Sequence, residues 1–407
     1  MAELYPLENT IQHYDWGSPT RIHELLGSSP DGLPAAELWL GAHPSAPSRV
    51  RPPGAPDASD SLLELVRRDP DRMLGRRVAD EFGPRLPYLL KVLAADRALS
   101  LQVHPRPHAA RAGFIRENLE GLPAGSPLRS FHDDQHKPEM VVALTEFDAL
   151  AGMRPPRAAL ALIDGLEGRL VDAVREALRG SRSTTGVREA FSLLVAARGR
   201  ADCRADVAAA VESVRARHAA GSPTERADAT VLLLAEQHPG DPGAIASLLL
   251  NRVTLEPGQA LFLPPGEVHA YVGGLGIEVM ASSDNVLRAG LTSKRVDTAA
   301  LLECASFQPR PPTAPDVDVS EGPGHVVSYR SPVREFALTL ADLADGESAA
   351  LHPEGPRIVL SLEGAPTLVS QDGTEHPLKH GDSCFVPDAA GALEVVGAGH
   401  VVCAWVP

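Results

Sequence analysis

The sequence predicts a mainly β protein that carries one all-helical insertion and is built on jelly-roll barrels. Three observations carry that prediction. Short apolar runs separated by Pro- and Gly-rich turns fill the N-terminal third and everything beyond residue 250, a pattern of many short strands. Between 156 and 250 the apolar residues recur instead at three- and four-residue steps, as on helices. Finally, Gly258-Gln-Ala-Leu-Phe-Leu-Pro-Pro recurs 123 residues later as Gly381-Asp-Ser-Cys-Phe-Val-Pro-Asp, which points to two related β units. A chain of 407 residues fits two or three domains. The expected division is a first β unit in two parts (1–155 and 251–310), a helical domain (156–250) and a second β unit (311–407).

Taken in order, Leu38–Leu40 and Tyr88–Leu93 read as strands, and Ser61–Arg68 with Met73–Val78 as helical. Leu160, Ile163, Leu166, Leu170, Val171, Val174 and Leu178 form one helical face. Further helices are expected at Val187–Ala197, Asp206–His218 and Thr224–Gln237, the last opened by Ser222, Pro223 and Glu225 as cap, first-turn proline and capping-box acid. Strands follow at Val253–Leu255, Ala260–Leu263, Val268–Val272 and Ile277–Ala281. Gln308–Val319 reads as a proline-rich linker, and Val326–Val406 as a second all-β unit with a hairpin turn at Asp372-Gly373. Carrying the repeat forward sets Ala392 opposite His269 and Glu394 opposite Tyr271, so the second unit is expected to have lost its polar site.

Composition excludes several functions. The formal charge is −15 and no basic run exists to neutralise a phosphate backbone, so nucleic acid is not an expected partner. The longest apolar stretches, such as Val231–Ala235, fall well short of the ~20 residues that span a bilayer. The start MAELYPLENT lacks the basic and apolar regions of a secretory signal, so a cytoplasmic address is expected. Cys203, Cys304, Cys384 and Cys403 form no CxxC, against a disulfide framework or thiolate zinc site. Only Lys91, Lys137, Lys294 and Lys379 are lysine among 38 basic residues. A lysine surviving such a bias toward arginine is a candidate for a site that needs a compact ammonium.

Chemistry gathers in three places. In Leu99-Ser-Leu-Gln-Val-His-Pro105, Ser100, Gln102 and His104 share one face of a strand that Pro105 ends. His132-Asp-Asp-Gln-His-Lys-Pro-Glu139 delivers Glu139 at the start of an apolar strand, while His132 and His136 read as surface loop residues. Pro264-Pro-Gly-Glu-Val-His-Ala-Tyr271 puts Glu267, His269 and Tyr271 on one strand face after a tight turn. Gln102, His104, Glu139 and His269 thus form a plausible divalent-metal set, with the nitrogen and oxygen donors that suit zinc at an open site.

Residues PLENTIQHYDWG (6–17), AELWLGAHPSAPS (36–48), KVLAADRALSLQVHP (91–105), HKPEM (136–140) and FLPPGEVHAYVGG…IEVMASSDNVLRAGLTSKRVD (262–297) resemble type I phosphomannose isomerase. The resemblance runs in order from Pro6 to about Asp297 and weakens beyond. It implies cupin-type barrels, one catalytic and one C-terminal without a metal site, and one Zn2+ per chain on Gln102, His104, Glu139 and His269. It implies Arg288 as the essential arginine and a pocket lined by Lys91, Lys137 and Lys294, with Ser100, Tyr271 and Asp284 among the substrate-binding groups. Val268 stands where the family often has proline, a mild departure.

The implied partner is a sugar phosphate, the implied unit a monomer, and the implied reaction the interconversion of mannose 6-phosphate and fructose 6-phosphate through a cis-enediol. Glu278 is the favoured base, with Lys294, Tyr271 and a metal-bound water as alternatives. At least two of Ser100, Lys91, Lys137, Lys294 and Arg288 are expected on the phosphate. Two rival readings are a cupin-type non-haem iron dioxygenase using two histidines and a carboxylate, and a non-enzymatic sugar-binding protein of paired barrels.

Overall fold

A computed structural model describes residues 4–50, 60–320, 322 and 324–407. The first β unit is built on β1 (Glu37–Gly41), β2 (Tyr88–Ala95), β3 (Leu101–Val103), β4 (Glu139–Ala143), β5 (Phe147–Met153), β6 (Leu250–Leu255), β7 (Ala260–Leu263), β8 (His269–Ala281) and β9 (Leu287–Gly290), with the short strand Thr10–Gln12 added at the edge of β1. Their pairings are antiparallel, and β8 belongs to two sheets. Its first half, His269–Gly273, pairs with β5, and His269 stands opposite Gln102 of β3. Its second half, Gly274–Ala281, runs between β2 and β4. One side of the unit is therefore β1-β2-β8-β4-β7 and the other β6-β5-β8-β3-β9, joined through a strand that turns the corner.

The two strands expected at 268–272 and 277–281 are in fact this one strand. Gly273-Gly274, which reads as a turn, is an irregularity in the ladder: the register shifts between Tyr271 and Gly273, and Gly274 adopts φ +128°. A side chain at Gly274 would meet Glu146 O and Phe147 Cδ2 at 2.7 Å, so close packing rather than chain reversal demands the glycine.

Each outer face is buried. Leu38, Leu90, Val92, Val142, Ile277 and Val279 pack against Tyr329, Phe336, Leu338, Ile358 and Phe385 of the second β unit. On the other side, Val103, Leu150, Val268 and Leu287 pack under helices through Leu170, Val174, Phe191 and Leu194. At roughly 1.5–3 kcal/mol for each fully buried aliphatic side chain, these two faces fix the relative position of the sheets. The space between them is left for the polar site.

The helices at 184–197, 203–219 and 225–237 lie close to expectation. The single helical face expected over 160–178 is split into Pro156–Ile163 and Arg169–Gly180 by Gly165 and Gly168, at φ +80° and +124°. Ser222 does not cap the last helix: its hydroxyl accepts the Thr224 N–H at 3.0 Å in a turn, and the helix begins at Glu225. The early helical stretch is three short helices, Leu62–Arg68, Pro70–Leu74 and Arg76–Phe82, divided by Pro70 and by Gly75 at φ +78°.

The second β unit contains β10 (Asp316–Val319), β11 (His325–Arg330), β12 (Ala337–Leu343), β13 (Arg357–Gly364), β14 (Ser383–Val386) and β15 (Gly399–Trp405) in one sheet. β10 lies within the stretch expected as linker, where the DVDV tail finds β11 as a partner. Tyr5–Glu8 also joins this sheet, pairing with β14. The repeated phrase is structurally equivalent: Gly258 and Gly381 take φ +83° and +81°, and β7 and β14 each begin two residues later. The expected hairpin joins Thr367–Ser370 to Glu375–Pro377 with Gly373 at φ +78°. Among the described residues no helix is long and apolar enough to cross a membrane.

Candidate metal centre

Strand register assembles the site. Gln102 of β3 stands opposite His269 of β8 on one side and Arg288 of β9 on the other. Glu139 opens β4 opposite Met280 and Leu263. His104 follows β3 directly, where Pro105 ends the strand. Potential ligand atoms of His104, Glu139 and His269 lie within 4.8 Å of one another, and all three residues are buried.

The two imidazoles are oriented from behind. Nδ1 of His104 lies 2.7 Å from the Asn285 carbonyl and Nδ1 of His269 lies 2.9 Å from the Glu267 carbonyl. A carbonyl only accepts, so each Nδ1 carries the proton and each Nε2 turns a lone pair inward. His104 Nε2 is 3.1 Å from Glu139 Oε1, and His269 Nε2 is 3.4 Å from Glu139 Oε2. His104 Nε2 and Glu139 Oε2 are buried with no hydrogen-bond partner. Two unprotonated ring nitrogens facing a carboxylate, one of them and one carboxylate oxygen without a hydrogen-bond partner, are an electron-rich cluster that a cation would satisfy, so the donor set fits a divalent metal.

The Gln102 amide adjoins this cluster. Its Nε2 lies 3.3 Å from His269 Nε2 and its Oε1 accepts from Ser100 Oγ at 3.2 Å. A half-turn of the amide exchanges these ends, bringing Oε1 to the cluster and leaving Nε2 to donate to Ser100. Burial pulls the His104 pKa down to about 4, which keeps the ring neutral. Burial works to raise the Glu139 carboxyl, but His104 and Lys137 outweigh it and hold it below the usual range.

A second buried cluster lies on the facing sheet. Trp39, Lys91 and Glu278 stand in one row across β1, β2 and β8. Lys91 Nζ is 3.0 Å from Glu278 Oε2 and 3.4 Å from Glu37 Oε1. Burial opposes the Lys91 charge, yet Glu278 and Glu37 hold its pKa above the usual value. Glu278 is raised, first by burial and then by Glu139 and Glu37, with Lys91 opposing. Tyr271 is also buried, and its hydroxyl pKa is raised by burial and by Glu278. Lys137 Nζ sits 2.9 Å from Glu139 Oε1.

The remaining expected site residues lie farther out. Asp284 is exposed; its Oδ2 accepts from Ser45 Oγ at 2.9 Å and its Oδ1 faces His43 Nε2 at 3.6 Å. Arg288 is half-buried and Lys294 exposed; burial lowers the pKa of Arg288, and burial followed by the charge of Arg288 lowers that of Lys294. Among the described residues neither has a carboxylate within salt-bridge distance, unlike Lys91 and Lys137. His132 is exposed, but His136 is largely buried against Glu335 and is not the surface histidine expected.

Four residues of this pocket escaped sequence reading: Tyr14, Glu37, Trp39 and His43. Tyr14 feels Glu37, Lys91, Asp284 and Arg288 at once, which sets it at the rim of the same pocket. Glu37 and Trp39 sit two apart on β1, with Trp39 Nε1 donating to Glu37 Oε2 at 2.7 Å. The alternation of Glu37, Trp39 and Gly41 on one face was the available signal.

Comparison with known proteins agrees with this geometry. Residues 4–156 match the family described as phosphomannose isomerase type I, catalytic domain. Mannose-6-phosphate isomerase of Escherichia coli is 36 % identical over 98 % of both chains, and that of Bos taurus 32 % over 94 % of this chain and 93 % of its own. A crystal structure of phosphomannose isomerase from Salmonella typhimurium superposes with a TM-score of 0.88 at 32 % identity, covering 99 % of each chain. A zinc-bound mannose 6-phosphate isomerase superposes at 0.86, again at 32 % identity over 99 % of each chain. The chain is therefore an enzyme and belongs to the type I phosphomannose isomerase family.

Proposed function

We propose that this enzyme interconverts mannose 6-phosphate and fructose 6-phosphate through a cis-enediol, with one zinc ion per chain. The observation that carries the reading is the buried convergence of His104, Glu139 and His269 beside Gln102, with Arg288 opposite Gln102 on the next strand. The four former residues are the ligands in this reading. A bound zinc ion supplies Lewis-acid polarisation of a substrate oxygen.

The protein's own groups do the rest. A proton must move between C2 and C1, and the C2–H is a poor acid, so the carbon needs a base and the oxygens need positive charge. Glu278 is the base: a carboxyl raised by burial is better matched to neutral pH than an ordinary one. Lys91 holds that carboxylate in place, and Tyr271 closes the pocket behind it. Arg288 stabilises the developing enediolate with a charge that is permanent in water and in the pocket alike. Lys294 and Ser100 contribute to phosphate binding, Lys137 and Asp284 to the sugar hydroxyls. Residues 1–155 and 251–310 form the catalytic unit, 156–250 a supporting helical domain, and 311–407 a barrel without a metal site.

Metal analysis joined to an assay of fructose 6-phosphate formation tests the proposal. One zinc per chain is expected, with activity lost to chelator and restored by zinc. A metal-free preparation turning over at the full rate would overturn it.

A further inference from the structure

The loop that leads into Glu139 is pinned at both ends but not in its middle. Asn285, fully buried, accepts the His132 N–H at 2.7 Å and donates to the carbonyls of Asp133 and Gln135 at 2.9 and 2.8 Å. At the far end the Pro138 carbonyl accepts from the Ala281 N–H at 3.0 Å, and Glu139 enters β4. Between these anchors stand His136 and Lys137, whose backbones make no hydrogen bond to other backbone groups among the described residues.

The anchor for this span comes from the other β unit. His136 Nε2 lies 2.5 Å from Glu335 Oε1, in the loop between β11 and β12. The side chains are 22 % and 15 % exposed, so water competes poorly for the pair. Glu335 is itself held: its Oε2 accepts the Arg334 N–H at 3.1 Å, and Arg334 reaches Glu81 at 2.8 Å. Beside it, Ser331 Oγ contacts Met140 Sδ at 3.3 Å and Phe336 is fully buried in the shared core. The Glu335 loop is thus firm on the side from which it grips His136.

We propose that Glu335 is a positioning residue for Lys137, acting through His136, and that this is what the second β unit contributes to catalysis. The inference rests on the reading of Lys137 as a substrate-binding group. Glu139 does not depend on the latch, because β4 pairs it with Leu263 and Met280. Losing Glu335 therefore frees the backbone that carries Lys137, while Glu139, which the Lys137 ammonium touches at 2.9 Å, keeps its own place on β4.

That separation makes the test specific. Glu335→Ala is compared with the zinc-loaded wild-type enzyme for KM, kcat, zinc content and Tm, with mannose 6-phosphate as substrate. KM is expected to rise about tenfold, the scale of one lost charge-assisted contact, with zinc content and Tm near wild type. Glu335→Gln, whose amide oxygen still accepts from the ring, recovers most of the loss. Glu335→Ala combined with His136→Ala is no worse than His136→Ala alone, since the two act as one unit. Wild-type KM in Glu335→Ala, additive losses in the double variant, or activity falling in step with zinc or folded protein would each overturn the proposal. A wild-type enzyme that binds zinc and turns over while Glu335→Ala matches it sinks this inference alone; a wild type without turnover sinks the parent reading as well.

Discussion

Lys91 and Glu278 face each other in register across β2 and β8, with Nζ 3.0 Å from Oε2 and both side chains buried. The pair keeps a carboxylate next to the substrate pocket that would otherwise be too costly to bury charged. Because Lys91 has Glu37 as a second partner at 3.4 Å, the ammonium is not orphaned when Glu278 changes.

Glu278→Gln is thus expected to fold and to bind substrate while losing its base. kcat should fall by about 10²–10⁴, the usual worth of a positioned general base. Solvent proton exchange at C2 should fall in parallel. Measuring isotope exchange at C2 decides the point, and near-normal exchange in the variant removes Glu278 from this role.

Arg288 and Lys294 should separate by kinetic parameter. Arg288, half-buried opposite Gln102, is the proposed partner of the reacting oxygens, so Arg288→Gln should lower kcat by about 10²–10³. Lys294, exposed and unpaired by any carboxylate among the described residues, should act on binding: Lys294→Gln raises KM with little change in kcat. Added salt should likewise raise KM more than it lowers kcat, since Lys294, the proposed phosphate ligand, is exposed to screening. A Lys294→Gln enzyme with unchanged KM and abolished C2 exchange would transfer the role of base from Glu278 to Lys294.

Strand residues of the site were legible because period-two alternation exposes them: Ser100, Gln102 and His104 alternate with apolar neighbours, as do His269 and Tyr271. What alternation cannot reveal is which strand faces which. The opposition of Gln102 to both His269 and Arg288 is a matter of register between segments more than 160 residues apart. Glu37 and Trp39 were missed because β1 is buried along its whole length and reads as core. The glycines misled in the opposite direction, since Gly273-Gly274 serves close packing within β8 where its composition signals a turn. His136 looked like a solvated loop residue because its partner, Glu335, comes from a unit 199 residues away.

His43 makes a pH prediction. Its Nδ1 accepts the Ser45 N–H at 3.3 Å, so the proton sits on Nε2, facing Asp284. Burial lowers its pKa to about 4 despite the pull of Asp284. The folded enzyme therefore keeps the ring neutral, while the unfolded chain takes up a proton below about pH 6.5. The stability this ring contributes is complete above pH 6.5 and drains away as pH falls toward 4, by roughly 3 kcal/mol at most. In His43→Asn, chemical denaturation between pH 7 and 4 should show a shallower loss of stability than in the wild type. Parallel curves would mean the ring does not titrate differently in the two states.

Gly274→Ala tests the corner on which the site depends. At φ +128° an L-residue is strained, and its Cβ would lie 2.7 Å from Glu146 O and 2.8 Å from Phe147 Cα, atoms that move only if β5 moves. Strain and overpacking together should cost a few kcal/mol, about 1–3 from each source. The consequence reaches function because β8 carries His269 on one side of this glycine and Glu278 on the other. Any relief of the clash changes the angle between the halves, spreading His269 from Glu139 and Glu278 from the substrate. The expected result is a lower Tm, weaker zinc retention in a competition with chelator, and reduced kcat. A variant of reduced Tm with wild-type zinc affinity and kcat would show that the two halves of β8 are held by their own sheets, and that the corner is a matter of stability alone.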